Sequence, residues 1–439
     1  MEGAIGKSLC LADAMGSKNE WNRRYDPNRR TWEVLPKALK RGLPSRTMSA
    51  YHSRTARGAT RDGRPHMPYS TIFGIDSHAR TTTICALVVG TGETRTRTFR
   101  GNDYGAMRGW MSGFPAPARG VYEAGCTGFV PARLLASGDV EVVPIAPSKM
   151  PTSSESRTRK NDRNDAARLA RLELAGELRE VWVPSEEVEG LRDLTHALDD
   201  LKDQRERACR RCEALLCRHG IVWDERTRSG RLKKSWGTEY WEWLRRVELG
   251  DRASQAALLA AIRAAESARE QYDELLRRAH ELAAASSLSG AADALQCLKC
   301  VSFVTALAFC AEVGDFSRFA SGRKVTSYLG FAPSEGSSAL AVRLGAMSRC
   351  GNKLLRSLLV EGAWAAARGN PARPKACPAS VDARIRERAR TLSQRLCERR
   401  RSLLARGVPP CKANAATAAE LGRFMLFLGQ DQQAIEAAA

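Results

Sequence analysis

The chain has 439 residues, room for two or three domains and a substantial core, and its 70 Lys and Arg against 49 Asp and Glu leave a net charge of +21. That excess favours phosphate contacts and salt-sensitive binding to a nucleic acid. No apolar stretch approaches the roughly 20 residues of a membrane span and the first residues lack a signal-peptide core, so a cytoplasmic protein with no membrane partner is expected.

Residues 1–70 are polar, with 14 Lys and Arg against 6 Asp and Glu and little periodicity, and are expected to be a disordered basic extension. From residue 71 the pattern changes. Thr71-Ile72-Phe73-Gly74-Ile75 is an apolar run ending on Asp76, and a second β-rich run, Thr81 to Val89, completes a hairpin. A short strand near Thr96–Phe99, a helix around Tyr104–Gly113, a strand Gly120-Val121-Tyr122 closed by Glu123, a helix near Val130–Ser137 and the strand Val140–Ile145 follow. The next helix begins within Asn161-Asp162-Arg163-Asn164-Asp165. This β-β-β-α-β-α-β-α order is that of an RNase H-like domain, placed at residues 71–180. Ahead of the last helix, Thr152–Lys160 is a polar, basic loop suited to folding over a phosphodiester.

Taken singly, each acid has an ordinary explanation: Asp162 as a helix cap with Asp165 in the first turn, Asp76 and Glu123 as solvated strand ends. In combination, on strand, strand and helix, Asp76, Glu123, Asp162 and Asp165 are candidate metal ligands. The i,i+3 spacing of the last two puts them on one helix face. Mg²⁺ takes hard oxygen ligands, and four carboxylates suit two ions that stabilise the attacking and leaving oxygens of an in-line displacement.

Residues 185–288 turn helical. Leu191, Leu194, Leu198, Leu201, Ala208, Cys212 and Leu215 form a near-heptad stripe, and a second long helix, about Ala253 to Ala285, carries Leu258, Ala265, Tyr272, Leu275, Ala279 and Leu282. Together they predict a protruding coiled-coil hairpin. The thirteen cysteines read as reduced thiols rather than a disulfide framework. Cys209/Cys212 and Cys297/Cys300 have Cys-x-x-Cys spacing, but their helical and apolar surroundings favour packing over zinc. Residues 290–367 form a second globular unit, in which the loop Ser334-Glu335-Gly336-Ser337-Ser338 precedes a basic Gly-Asn turn and a helix, an arrangement suited to holding a phosphate through backbone N–H groups. By themselves Ser337 and Ser338 are loop residues. Residues 368–439 are basic C-terminal helices and a tail, with Asp382–Arg406 either a solvated helix or one facing nucleic acid.

Gly74-Ile75-Asp76, Tyr122-Glu123-Ala124-Gly125, Lys160 through Ala166, Gly330-Phe331-Ala332-Pro333-Ser334 and Arg349-Cys350-Gly351-Asn352 together resemble the DEDD transposases of the insertion-sequence-110 type. The resemblance covers about residues 71–430. It implies a RuvC-like (RNase H-like) catalytic domain, a coiled-coil segment and a mostly α-helical C-terminal transposase domain, hence an α/β plus α chain. It further implies that the four acids bind Mg²⁺, and that Ser338, with Ser337 as the alternative, attacks DNA to form a covalent phosphoserine link. Lys160, Arg163, Arg343 and Arg349 become candidates for nucleic-acid contact. The implied partners are donor and target DNA, a structured guide RNA from the element, and further copies of the chain in a homodimer or homotetramer. The chain departs from the family at Ala339-Leu340 and at Cys300, where the family has glycine. Competing expectations are a site-specific DNA invertase, a metal-dependent junction nuclease that hydrolyses without a covalent step, and an inactive nucleic-acid-binding remnant.

Overall fold

Thr71, Ile72, Phe73 and Ile75 are fully buried because the strand they form, β1 (Thr71–Ser77), lies at the centre of a sheet with packed residues on both faces. The computed structural model describes residues 69–151, 162–335, 344–348, 350–366, 375 and 377–438. These form two units that divide at Val183–Pro184.

In the first unit, β2 (Thr81–Val88), β3 (Thr94–Arg100), β4 (Ala118–Glu123) and β5 (Val140–Ile145) join β1 in a five-stranded sheet of order β3-β2-β1-β4-β5. β1 to β3 form an antiparallel meander, whereas β4 runs parallel to β1 and β5 parallel to β4. Such parallel neighbours require crossovers, and α1 (Tyr104–Met111) and α2 (Val130–Leu135) provide them. The two-residue strand period sorts side chains between the faces. Phe73, Ile75, Ile84 and Tyr122 pack with Met107, Met111 and Leu135 of the crossover helices. On the other face, Val121 and Ile145 meet Leu169, and Ile72 and Leu87 meet Ala170, both from α3 (Asp162–Leu174).

A buried ion-pair group ties the far end of α3 to the start of β4. Arg119, 7% exposed, donates to Glu173 of α3 at 2.8 Å and pairs with Glu141 and Glu180. Burial alone would lower the Arg119 pKa, but Glu180, Glu141 and Glu173 carry it above the ordinary guanidinium range. Tyr69 donates to Glu141 at 2.7 Å, and burial followed by that hydrogen bond raises its phenol to about 12.

In the second unit, α4 (Glu186–Arg218) and α6 (Arg252–Ala284) are each 33 residues long. They lie antiparallel, since Glu187 near the start of α4 accepts from Ser287 just past the end of α6, while Cys212 and Leu215 pack with Leu258 and Ile262. Ser185 caps α4 by accepting from Val188 N–H at 3.2 Å, and Asp251 caps α6 by accepting from Ser254 N–H at 2.8 Å. α5 (Thr238–Arg246) closes the connection with Tyr240, Trp241 and Leu244 packed among Trp223, Trp236 and Trp243. Ala279, expected in the apolar stripe, is buried, but Leu282, expected there too, is 56% exposed and Ala283 is buried instead. A straight helix with 3.6 residues per turn drifts away from a strict heptad. Cys212 is buried in the core of this region, where desolvation raises its thiol to about 11.

The rest of the second unit is helical: α7 (Ser289–Gln296), α8 (Phe303–Val313), α9 (Gly322–Tyr328), α10 (Lys353–Ala366), α11 (Ala383–Ala405) and α12 (Pro410–Ala438). Every residue of α8 from Thr305 to Val313 is buried. Between α9 and α10 sits a two-stranded antiparallel ribbon, β6 (Pro333–Glu335) and β7 (Leu344–Met347). At Cys300, α10 nonetheless packs tightly, because Gly362 supplies the room: a Cβ there would lie 2.8 Å from the Cys300 carbonyl oxygen.

Candidate active site

Asp76, the last but one residue of β1, and Glu123, the last of β4, lie at the C-terminal ends of two neighbouring parallel strands. Ile75 pairs with Tyr122 in the β1–β4 register, so the next residues on each strand, Asp76 and Glu123, stand side by side at the C-terminal edge of the sheet. Ile75 and Tyr122 point into the core beneath α1 and α2, and strand alternation therefore turns Asp76 and Glu123 to the opposite face. This is the face that α3 covers. Leu169 meets Val121 and Ala170 meets Ile72, so α3 runs antiparallel to β1 and its first turn lies at the edge where the two acids end.

That first turn begins with Asp162, and Asp165 follows on it, half-buried. The Asp162 side chain lies outside the described residues. Three of the four expected acids therefore have described positions on adjoining elements, and the fourth is the first residue of α3. The helix N-terminus adds a partial positive charge that favours carboxylates there. Glu123 is exposed, whereas the Asp76 side chain is only 17% exposed.

Local hydrogen bonds hold the strand ends. Ala124 N–H donates to the Ile145 carbonyl at 2.9 Å and Tyr122 Oη to the Gly128 carbonyl at 3.0 Å, which fixes the chain on both sides of Glu123. After Asp76 the chain turns tightly, with His78 N–H donating to the Thr81 carbonyl at 2.9 Å. His78 Nε2 lies 3.2 Å from Asp76 Oδ1. In the sequence His78 carries no signal of its own, since a histidine just past a strand end has no distinctive spacing. Arg168 donates to the Pro151 carbonyl, anchoring α3 beside the point where residues 152–161 leave the described part. Lys160 falls outside it, and Arg163 is exposed on α3.

Among the described residues no three His, Cys, Asp or Glu side chains are grouped closely enough to hold a metal ion. The donor set nevertheless fits Mg²⁺ in chemistry, being carboxylate oxygens at an open sheet edge with no thiolate among them.

The second expected centre lies in the β6–β7 region. Ser337, Ser338, Arg343 and Arg349 lie outside the described residues. What is described is the backbone around residues 328–332, 348 and 350–355. Ser348 N–H donates to the Ala332 carbonyl at 2.9 Å, and Asn352 N–H to the Tyr328 carbonyl at 2.9 Å. Asn352 Oδ1 accepts from Leu355 N–H at 2.9 Å at the start of α10. Gly351 lies so close to Gly330 that a Cβ on it would be 2.5 Å from both Gly330 N and the Tyr328 carbonyl oxygen. The motif glycines thus form a backbone crossing.

The sheet order, the paired strand-end acids and the ribbon base agree with what the comparisons decide. The second unit matches, over residues 292–377, the family described as "Transposase IS116/IS110/IS902 family". Residues 73–220 match a DEDD transposase model of the IS110 type, described as "Transposase". A putative transposase, y4qE, of Sinorhizobium fredii (strain NBRC 101917 / NGR234) is 34% identical over 317 residues, covering 71% of this chain and 75% of that protein. The chain belongs to the IS110 family of transposases.

Other similar proteins are the transposase for insertion sequence element IS1533 of Leptospira borgpetersenii, 27% identical over 47% of this chain and 58% of its own length, and that for IS1111A of Coxiella burnetii, 27% identical over 48% and 55%. This transposase therefore acts on DNA, and its mixed α/β first unit with a helical second part fits a DEDD, RNase H-like enzyme. The match over residues 73–220 spans Asp76, Glu123, Asp162 and Asp165, and that over residues 292–377 spans Ser337 and Ser338. Among the described residues no helix is long and apolar enough to cross a membrane.

Proposed function

We propose that this transposase cuts and rejoins the DNA strands of its insertion sequence with Asp76, Glu123, Asp162 and Asp165 as ligands of Mg²⁺ and Ser338 as the nucleophile, Ser337 being the alternative. The observation that carries this reading is the side-by-side placement of Asp76 and Glu123 on parallel strands, on the face covered by the helix that Asp162 heads. Bound there, the ion supplies charge stabilisation to the non-bridging and leaving oxygens of the phosphodiester.

The protein's part is positional. The strand ends hold two carboxylates, since β1 and β4 pair with each other up to Ile75 and Tyr122 and each acid still pairs on its outer side, Asp76 with Thr83 of β2 and Glu123 with Ile145 of β5. α3 brings the other two from one helical face. A serine hydroxyl is a weak nucleophile and needs activation. Its oxygen forms the new bond to phosphorus as the bond to the sugar oxygen breaks, and the proton lost by serine is matched by one gained at the departing hydroxyl. One phosphodiester replaces another, which keeps the strand ready for rejoining. Lys160, Arg163, Arg343 and Arg349 contact phosphates in this reading, and the net charge of +21 supplies the general attraction. An RNA transcribed from the element directs the choice of donor and target DNA. α4 and α6 form a coiled-coil hairpin that joins copies of the chain into a dimer or tetramer.

The test is to incubate the full chain with Mg²⁺, RNA transcribed from the element's flanks and labelled donor DNA, and to look for a protein–DNA adduct that survives denaturant. An adduct lost in Ser338→Ala, or in Ser337→Ala, supports the serine step. Cleavage with no adduct replaces it with hydrolysis by a junction nuclease, and adduct formation unchanged in both serine variants removes those serines from the mechanism.

A further inference from the structure

Glu312 closes α8 in the interior of the second unit, 7% exposed. Its Oε1 is 2.9 Å from His196 Nε2 on α4, and its Oε2 lies 3.9 Å from Arg192 Nε on the same helix and 3.4 Å from Tyr328 Oη at the end of α9. The Asn352 side chain also acts on it, helping to hold its pKa down. Arg192 also donates to the carbonyls of Ala311 at 2.7 Å and Glu312 at 3.0 Å, and Tyr328 Oη to the Glu312 carbonyl at 3.1 Å. One buried carboxylate therefore joins three elements: α4, the end of α9 and the residue that opens α10.

Burying a carboxylate is costly unless it is paired and hydrogen-bonded, and a well-packed apolar residue in the same place is often no less stable. A charge retained there is better explained by geometry than by stability. The geometry it sets is that of Tyr328 and Asn352. These are the residues joined by the 2.9 Å backbone bond beneath the ribbon, beside the Gly330–Gly351 crossing. The ribbon has little to orient it from within. Among the described residues Pro333 pairs with Met347 and Glu335 with Leu344, with a register shift between them, and Ser334 Oγ donates to the Ala346 carbonyl at 3.0 Å; an isolated two-stranded ribbon is marginally stable at best.

We propose that Glu312 is a positioning residue for strand cleavage, fixing Tyr328 and Asn352 against α4 so that the β6–β7 ribbon leaves its base in one direction. This rests on the reading above that the segment between β6 and β7 carries the reacting serine. Glu312 touches neither substrate nor metal; it acts through the ribbon base.

Full-length Glu312→Gln and Glu312→Leu, with Ser338→Ala and Ser337→Ala beside them, test it. The readouts are amide hydrogen exchange, melting temperature, DNA affinity and the single-turnover rate of cleavage. The Gln variant keeps hydrogen-bonding capacity and loses the charge, so cleavage slows by about tenfold, and the Leu variant by about a hundredfold. In both, DNA affinity stays within about twofold, and exchange quickens at residues 328–335 and 344–356 but not in α6. Unchanged exchange at the ribbon base overturns the proposal, as does cleavage that falls only in step with lost folding or lost DNA binding. The serine reading fails separately, when the serine variants keep the adduct. Exchange in the Glu312 variants is independent of that result.

Discussion

Gly74 lies directly against the backbone of Ala166. A Cβ at position 74 would stand 1.9 Å from the Ala166 carbonyl oxygen and 2.6 Å from Ala170 N, so α3 rests on the main chain of β1 with no side chain between them. The closeness matters because Asp76 is two residues further along β1 and Asp165 one residue before Ala166. Replacing Gly74 by alanine must lift or tilt α3. The expected cost is at least the ~1–3 kcal/mol of an overpacked core, read by urea unfolding. Cleavage should fall by far more than the unfolded fraction explains, and a Gly74→Ala protein with native stability and rate would show that α3 does not set the site.

Glu123 is exposed at its strand end, so Glu123→Gln is expected to change stability by no more than ~0.5 kcal/mol while abolishing cleavage. The same separation is expected for Asp165→Asn. Chelation of divalent ions should stop the wild-type reaction and leave the thermal unfolding of the first unit almost unmoved. Full activity in either variant would remove that acid from the ligand set.

Arg119 carries a different kind of prediction. Removing it by Arg119→Met strands Glu173, whose side chain is only 12% exposed, without its partner. Loss of one member of a buried pair typically costs about 3–5 kcal/mol, and the low end is expected because Glu141 and Glu180 are 42% and 57% exposed and regain water. Lysine cannot replace the fork that reaches three carboxylates. Chemical denaturation of Arg119→Lys should therefore resemble that of Arg119→Met more than the wild type.

The His196–Glu312 pair predicts a pH dependence. The hydrogen bond that His196 donates to the Glu312 carboxylate raises the His196 pKa above its ordinary 6.5, with burial opposing. Burial would raise Glu312, but His196, Arg192 and Asn352 hold it below its ordinary 4.5. Stability from the raised histidine is complete below 6.5 and is lost as pH rises through its folded-state pKa. Stability from the lowered carboxyl is present above 4.5 and is lost as pH falls through its folded-state pKa. Asp193 and Asp199 on α4, Arg192, Arg318 and Tyr328 also face this group. The stability difference between wild type and His196→Gln should be greatest in mildly acid solution and shrink toward alkaline pH. A difference that grows with pH would contradict the pairing. Because His196 is half exposed, solvent screening keeps the effect modest.

Local periodicity was enough to foresee the strands and helices of the first unit and the two long helices of the second. A strand buries alternate residues and a helix about every third or fourth, and both rules are written in neighbouring residues: Val140–Ile145 and the Ser185-capped α4 stand where the pattern put them. The candidate acids were legible because each closes or opens such an element. What sequence order could not express was adjacency between distant segments. That Asp76 stands beside Glu123 follows from parallel pairing of β1 with β4, which is decided by hydrogen bonds across a crossover. That α3 arrives face-on follows from an absent side chain at Gly74. Leu282 left its expected stripe because the helix period is not that of a heptad. Glu312, ordinary in sequence at the end of an apolar helix, acquired its partners only when α4, α9 and α10 closed around it, since the cost of burying its charge is settled by groups that lie far away along the chain.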